Sequence, residues 1–219
     1  MASWLYVGAA GSSRLRGRLH RVWAMMRLMV ARGITAGFLL DRQWHLMTDG
    51  MEGTKRSALL ALATVLAQAG TSYAIIGGVA LQAHRAEPRT TLDIDVAVKG
   101  LDTLPRSDLQ SAGFTSRGRF PHSENWRGPD EVPVQFTEDQ ALVPAIERAI
   151  AIEIEGVSLR VIGRSDLLHE KLRAGADPAR RRSKRLQDLA DAQGLLEETP
   201  ELRAGLSEAE RRILNALPP

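Results

Sequence analysis

The chain has 219 residues, 44% of them apolar, which is enough for a core and for one or two domains. It contains no cysteine, which excludes a disulfide framework and a thiolate zinc site and fits a cytoplasmic protein. The net charge of +3 is uneven: residues 1–40 hold six arginines and no acidic residue, whereas from Met51 onward acidic residues outnumber basic ones by two. A charge argument for nucleic-acid binding therefore rests on the N-terminal piece alone.

Residues 1–50 have some features of a targeting segment or a basic amphipathic helix. Arg27 and Arg32 interrupt the apolar run and argue against a membrane span. The segment reads best as an extension outside the fold, left by an early start codon. Met51 directly precedes a coherent domain sequence, and a chain beginning there is expected to fold and keep its activity.

The domain opens with Thr54 as N-cap of a helix over 55–68, whose apolar residues keep helical spacing up to Gly70. A strand over 73–76 follows, then Gly77-Gly78, a helix-compatible stretch over 79–84 and a strand over 92–98. Residues 101–111 read as a short helix carrying Pro105, and 114–120 and 132–137 as strands. The stretch 121–130 between them is turn-rich; His122 and Trp126 there could contact a base or ribose, or serve as packing plugs. A helix over 141–150 and a hairpin of strands over 151–154 and 157–162 come next. Ser165 is expected to cap a helix over 166–174, followed by a basic run, Arg180 to Arg185, and a helix over 188–196. A final helix over 207–217 carries the capping-box pattern Ser207-Glu208-Ala209-Glu210. The expected division is a core over 51–163 and a helical C-terminal part over 164–219.

Chemistry concentrates between Tyr73 and Gly100. Residues two apart on a strand share a face, so Asp93 and Asp95 stand side by side while Ile94 and Val96 face the core. Two such carboxylates repel unless a cation joins them or one keeps its proton. Mg2+ suits hard oxygen ligands of this kind together with substrate phosphates. Gly77 and Gly78 allow close backbone approach at a helix N-terminus, where N–H groups can receive an anion. A phosphate cradle beside a metal-binding pair suits phosphoryl or nucleotidyl transfer.

The run GGVALQAHRAEPRTTLDIDVAV resembles the signature of the nucleotidyltransferase (polymerase-beta-like) superfamily, with Gly-Gly followed by an Asp-x-Asp strand. Arg89-x-Thr91-x-Asp93-Ile94-Asp95, and the later block holding Lys171 and Asp188, are similar to its AbiEii-like branch, toxins of type IV toxin–antitoxin systems. The resemblance covers about residues 55–198. It implies an α+β nucleotidyltransferase fold, a small mixed sheet flanked by helices with a helical C-terminal part. It also implies Mg2+ on Asp93 and Asp95, and an NTP whose phosphates meet Gly77, Gly78, Arg89 and Thr91. Lys171 would neutralise triphosphate charge. Asp188 would act as the base or orient the attacking hydroxyl, and Asp191 reads as an ordinary helix partner one turn on. The acceptor would be an RNA such as tRNA, and the partner a cognate antitoxin protein; no membrane is implied.

One departure stands out. The superfamily's third carboxylate would fall near Gln135, and glutamine carries no charge. The competing expectation is therefore a degenerate, non-catalytic protein of the same fold that binds a nucleotide or a partner.

Overall fold

The computed structural model describes residues 24–25, 27–40, 55–87 and 89–216. Seven strands form one sheet: β1 (Tyr73–Ile76), β2 (Ile94–Val98), β3 (Thr115–Phe120), β4 (Ser123–Arg127), β5 (Pro133–Glu138), β6 (Ile150–Ile154) and β7 (Val157–Val161). Their order is β3-β4-β5-β2-β1-β7-β6. The sheet is mixed: β2 runs antiparallel to β1 and parallel to β5, and β1 runs parallel to β7. Helices flank it, and the elements between Arg164 and Asn215 are all helical, so the architecture is the expected α+β one.

The two central strands are β1 and β2. All four residues of β1 are buried, and in β2 only Asp95 is not. Apolar residues facing both ways suit strands covered on both sides. The helices α2 (Arg56–Gln68), α3 (Gly77–His84) and α5 (Val143–Glu147) lie against this centre, α2 on β7 and the other two on β1 and β2. Between α3 and α5 in sequence comes α4 (Arg106–Ser111), and the C-terminal helices are α6 (Arg164–Ala176), α7 (Arg182–Glu198) and α8 (Glu208–Asn215). Helices α6 and α7 pack on each other, and α8 packs on α6.

The N-terminal stretch departs from expectation. Residues 27–40 form a helix, α1, and Val30, Ile34 and Phe38 on one face are buried in the main core. Gly33 and Gly37 let it lie against α3, since a Cβ at Gly33 would stand 2.3 Å from the Gln82 carbonyl oxygen. This helix is therefore part of the core rather than outside it. Residues 1–23 and 41–54, including Thr54, lie outside the described residues.

Other differences have local causes. The turn-rich stretch contains β4, whose alternation places Glu124 and Trp126 inward. Glu124 sits there because Arg106 pairs with it at 2.7 Å and the Trp126 indole N–H donates to it at 3.0 Å. Trp126 is 2% exposed and is a packing plug; His122 is exposed at the strand end. Pro105 splits the helix expected over 101–111 into a 3-10 turn, Leu101–Thr103, and α4. The helix expected over 141–150 is a 3-10 turn, Gln140–Leu142, running into α5. Gly163, not Ser165, precedes α6. Helix α7 begins at Arg182, so much of the basic run is helical. At α8 the capping box is present in both directions, between Ser207 and Glu210.

Candidate active site

The glycine pair sits where β1 turns into α3. Gly77 has φ +62°, and a Cβ there would fall 2.1 Å from Asp95 Oδ2. A Cβ at Gly78 would meet the Thr91 hydroxyl at 2.4 Å. Both glycines are required so that the first turn of α3 can lie against the carboxylate-bearing strand. The N–H groups of that turn have no partner within the helix.

Asp93 directly precedes β2 and Asp95 lies in it. Both line a cleft of about 640 Å³ between the sheet and the α6–α7 pair, together with Gly78, Arg89, Thr91, Lys171 and Asp188. Gly77 lies beneath Asp95. The cleft also holds Arg180, Arg181, Lys184 and Gln135. The register places Gln135 directly beside Asp95 on β5, where the third carboxylate was expected.

Asp95 is electrostatically loaded: the residue as a whole keeps some exposure, but its carboxyl packs against Gly77, and that desolvation, with the Asp93 charge added, pushes it up to about 7. Thr91 donates its hydroxyl to Asp93 Oδ1 at 2.7 Å and is itself buried. Behind it, the Lys55 ammonium, 3% exposed, donates to the Thr91 carbonyl at 3.1 Å and lies 5.9 Å from the centre of the Phe38 ring. A line of contacts thus runs from α1 through Lys55 and Thr91 to Asp93. Lys55 was read only as the start of a helix. Its partner lies 36 residues away, so local spacing held no signal for it.

A second charged group closes the far side of the cleft. Buried Lys171 donates to Asp188 Oδ1 at 2.8 Å and lies 3.1 Å from Asp191 Oδ2. Burial alone would lower its ammonium, but Glu170, Asp191 and Asp188 hold it above the usual lysine range. Arg180 Nε donates to Asp188 Oδ2 at 2.7 Å, so each oxygen of Asp188 faces a cation. In this arrangement Asp188 fixes the two cations.

Arg89 forks onto Asp191 with Nε–Oδ1 at 3.0 Å and Nη2–Oδ2 at 2.9 Å, and Nη1 donates to the Thr90 carbonyl at 3.2 Å. It lines the cleft, but its guanidinium ties the segment before β2 to α7. Burial would raise the Asp191 carboxyl; the Arg89 hydrogen bonds and the Lys171 charge outweigh it and hold it below the usual range. Asp191 does not line the cleft but holds two residues that do, Arg89 and Lys171. The available signal was its spacing: three residues after Asp188 puts both acids on one helix face.

Among the described residues there is no group of three or more His, Asp or Glu placed to hold a metal ion. The donor set that is present, Asp93, Asp95 and the Gln135 amide oxygen, is all oxygen and fits a hard divalent cation completed by substrate phosphates. The raised Asp95 carboxyl marks the charge such a cation would relieve.

No known protein-family profile matches the chain, and no curated protein matches its sequence. Among solved structures it is similar to an antigenic nucleotidyltransferase-like protein from Paracoccidioides brasiliensis, 20% identical, covering 73% of this chain and 91% of that one with a TM-score of 0.48. It is similar to the antibiotic-resistance factor ANT(2'')-Ia, 14% identical over 74% of this chain and 90% of that one, with a TM-score of 0.48. It is also similar to the Megavirus polyadenylate synthase, 14% identical over 91% of this chain and 40% of that one, TM-score 0.45. These likenesses describe backbone arrangement; the chemistry available to the cleft follows from its own side chains.

Proposed function

We propose that this protein transfers a nucleoside monophosphate from an NTP to an acceptor hydroxyl, with Mg2+ held by Asp93 and Asp95. The observation that carries the reading is the meeting of the Asp93–Asp95 pair with the glycine turn, on the wall of a cleft lined by Lys171, Arg180, Arg181 and Lys184. Backbone N–H groups and cations suit a triphosphate; paired carboxylates suit its metal.

Bound Mg2+ would supply neutralisation of phosphate charge. The chain's residues do the rest. The turn at Gly77 and Gly78 lets the phosphates approach the backbone, and Thr91 fixes one oxygen of Asp93. Lys171, set by Asp188 and Asp191, adds a fixed positive charge. The acceptor oxygen forms a bond to the α-phosphorus, the bond to the pyrophosphate oxygen breaks, and the hydroxyl proton leaves to water in the open cleft.

The sequence resemblance extends the reading to an RNA acceptor such as tRNA, and to a cytoplasmic toxin restrained by a cognate antitoxin. The basic residues Arg180, Arg181 and Lys184 at the cleft support an anionic acceptor as well as the nucleotide.

A second reading, nucleotide binding without turnover, is favoured by Gln135 at the place of a third acid. Incubation of the purified protein with each α-labelled NTP, Mg2+ and total RNA separates the two. Label in RNA supports transfer; nucleotide binding without labelled product supports the second reading.

A further inference from the structure

Two clefts meet at the carboxylate pair. Besides the first, a groove of about 610 Å³ runs over β4 and β5, lined by Arg117, Asn125, Arg127, Glu131 and Gln135, with Asp93 and Asp95 on the shared wall.

We propose that this groove is the acceptor subsite and takes the end of a polynucleotide strand, its terminal hydroxyl toward Asp93 and Asp95 and its phosphates on Arg117 and Arg127. The proposal rests on the transfer reading above.

Three observations support it. The first is position. Nucleotidyl transfer needs the attacking and leaving oxygens roughly in line across the phosphorus. The first cleft holds the glycine turn, Lys171 and Arg180, which suit the triphosphate and its leaving pyrophosphate. The groove shares Asp93, Asp95, Pro133 and Gln135 with that cleft and extends from them over β4 and β5, where none of the triphosphate-facing cations lies.

The second is charge. Apart from the shared carboxylates, the groove holds two guanidiniums against one acid, Glu131. That acid lies 3.7 Å from Arg117, and both side chains are more than half exposed. Exposed pairs of this kind contribute at most about 1 kcal/mol, so a phosphate can replace Glu131 at Arg117. Arg127 donates one bond, to the Glu131 carbonyl at 2.7 Å. Arg117 and Arg127 are thus the cations the groove offers a phosphodiester chain, and the charge of Asp93 and Asp95 on its wall is what the divalent cation of the transfer reading would offset.

The third is shape. Asn125 and Gln135 are cross-strand partners, so two amides stand in one row beside Asp95. Each amide offers donors and an acceptor, the complement a sugar or base edge needs. At the outer side β3 is an edge strand, and its register shifts between Ser116 and Gly118, beside Arg117. Bulges at sheet edges redirect side chains.

The test uses the full chain and a short fluorescent single-stranded oligoribonucleotide with a free 3′-hydroxyl. Anisotropy titrations compare wild type with Arg117→Ala, Arg127→Ala, the double variant and the Arg117→Lys/Arg127→Lys pair. The expected result is at least a tenfold loss of affinity in the double alanine variant. The slope of log Kd against log salt should fall by about one per arginine, with partial retention by the lysine pair. Calorimetry with Mg2+ and a non-hydrolysable α,β-methylene NTP should give wild-type affinity in all variants. Unchanged oligoribonucleotide binding in the double alanine variant overturns the proposal. So does parallel loss of NTP binding, which would mean a disturbed sheet. If the variants lose RNA binding alone and the wild-type chain binds the oligoribonucleotide but transfers no label, the groove stands as a strand-binding site, and both the transfer reading and the acceptor role that rests on it are overturned.

Discussion

Arg89 and Asp191 are joined by two hydrogen bonds, at 3.0 and 2.9 Å, between residues 102 positions apart. This fork holds the segment that leads into Asp93 against the helix that carries Asp188. Asp191 is almost fully buried, Arg89 is about one-third exposed, and Lys171 touches the same carboxylate. Asp191→Ala removes the partner of two cations and should cost about 3 kcal/mol, at the low end for a buried pair because Arg89 is partly solvated. Urea unfolding at neutral pH measures it. An Arg89→Met/Asp191→Ala double variant should be less destabilised than the two single changes summed, because the pair acts as a unit.

Asp95 gives a prediction with a definite sign. Its carboxyl sits at about 7 in the folded protein, against 3.8 as the ordinary value. The unfolded chain thus loses this proton at lower pH than the folded one. Folding is opposed progressively as pH rises from about 4 to about 7, and the cost stands in full above that. Asp95→Asn should therefore raise the melting temperature of the metal-free protein at pH 8, by the equivalent of about 2–4 kcal/mol, and leave it unchanged at pH 4. Equal stabilisation at both pH values would show that the effect is not the Asp95 charge.

His84 acts in the opposite pH direction. It is buried in the last turn of α3, with Nε2 2.6 Å from the Ile162 carbonyl oxygen, and burial lowers its pKa to about 4. The neutral ring donates that hydrogen bond. Its contribution is whole above the unfolded value of about 6.5 and is lost as pH falls from there to about 4, a total of about 3 kcal/mol. His84→Gln keeps a donor without the titration. Stability of the variant measured against wild type between pH 7 and 4 should show a smaller acid loss.

The N-terminal helix α1 carries a prediction opposite to the one its composition suggests. Val30, Ile34 and Phe38 are buried, and Phe38 meets the lysine that donates to Thr91. Ile34→Ala should cost about 2–5 kcal/mol. A chain beginning at Met51 should be less stable than the full chain and bind Mn2+, a probe for the carboxylate pair, more weakly. Equal melting temperatures for the two chains would contradict the packing of α1.

Much of the fold was legible where local pattern and burial agree. The apolar runs of β1 and β2, the glycine turn and the Asp-x-Asp spacing all stand where periodicity put them, and Gln135 lies beside Asp95 as the strand pairing required. Strand β4 was hidden because its inward residues include Glu124, whose polar character disguises the alternation until Arg106 and Trp126 are seen to satisfy it. Helix α1 was hidden because the arginine-rich, acid-free stretch leading into it sets the charge of the N-terminal piece, while the signal for burial is only that Val30, Ile34 and Phe38 mark one face at intervals of four. In the site, single residues were legible and their pairings were not. Nothing in the local sequence shows that Arg89, expected on a phosphate, pairs with Asp191, or that Asp188, expected as a base, pairs with Lys171 and Arg180. Such long-range ion pairs leave no trace in local spacing.

The Asp93–Asp95 pair and the glycine turn are proposed to make a Mg2+-dependent transfer site. The direct measurement is transfer of α-labelled nucleotide into RNA by wild type, Asp93→Asn and Asp95→Asn, each with Mg2+ and with EDTA. The account predicts labelled product with wild type and Mg2+ only, and loss of at least a hundredfold in both variants while their melting curves stay cooperative. Transfer that survives EDTA, or either variant at wild-type rate, would contradict it.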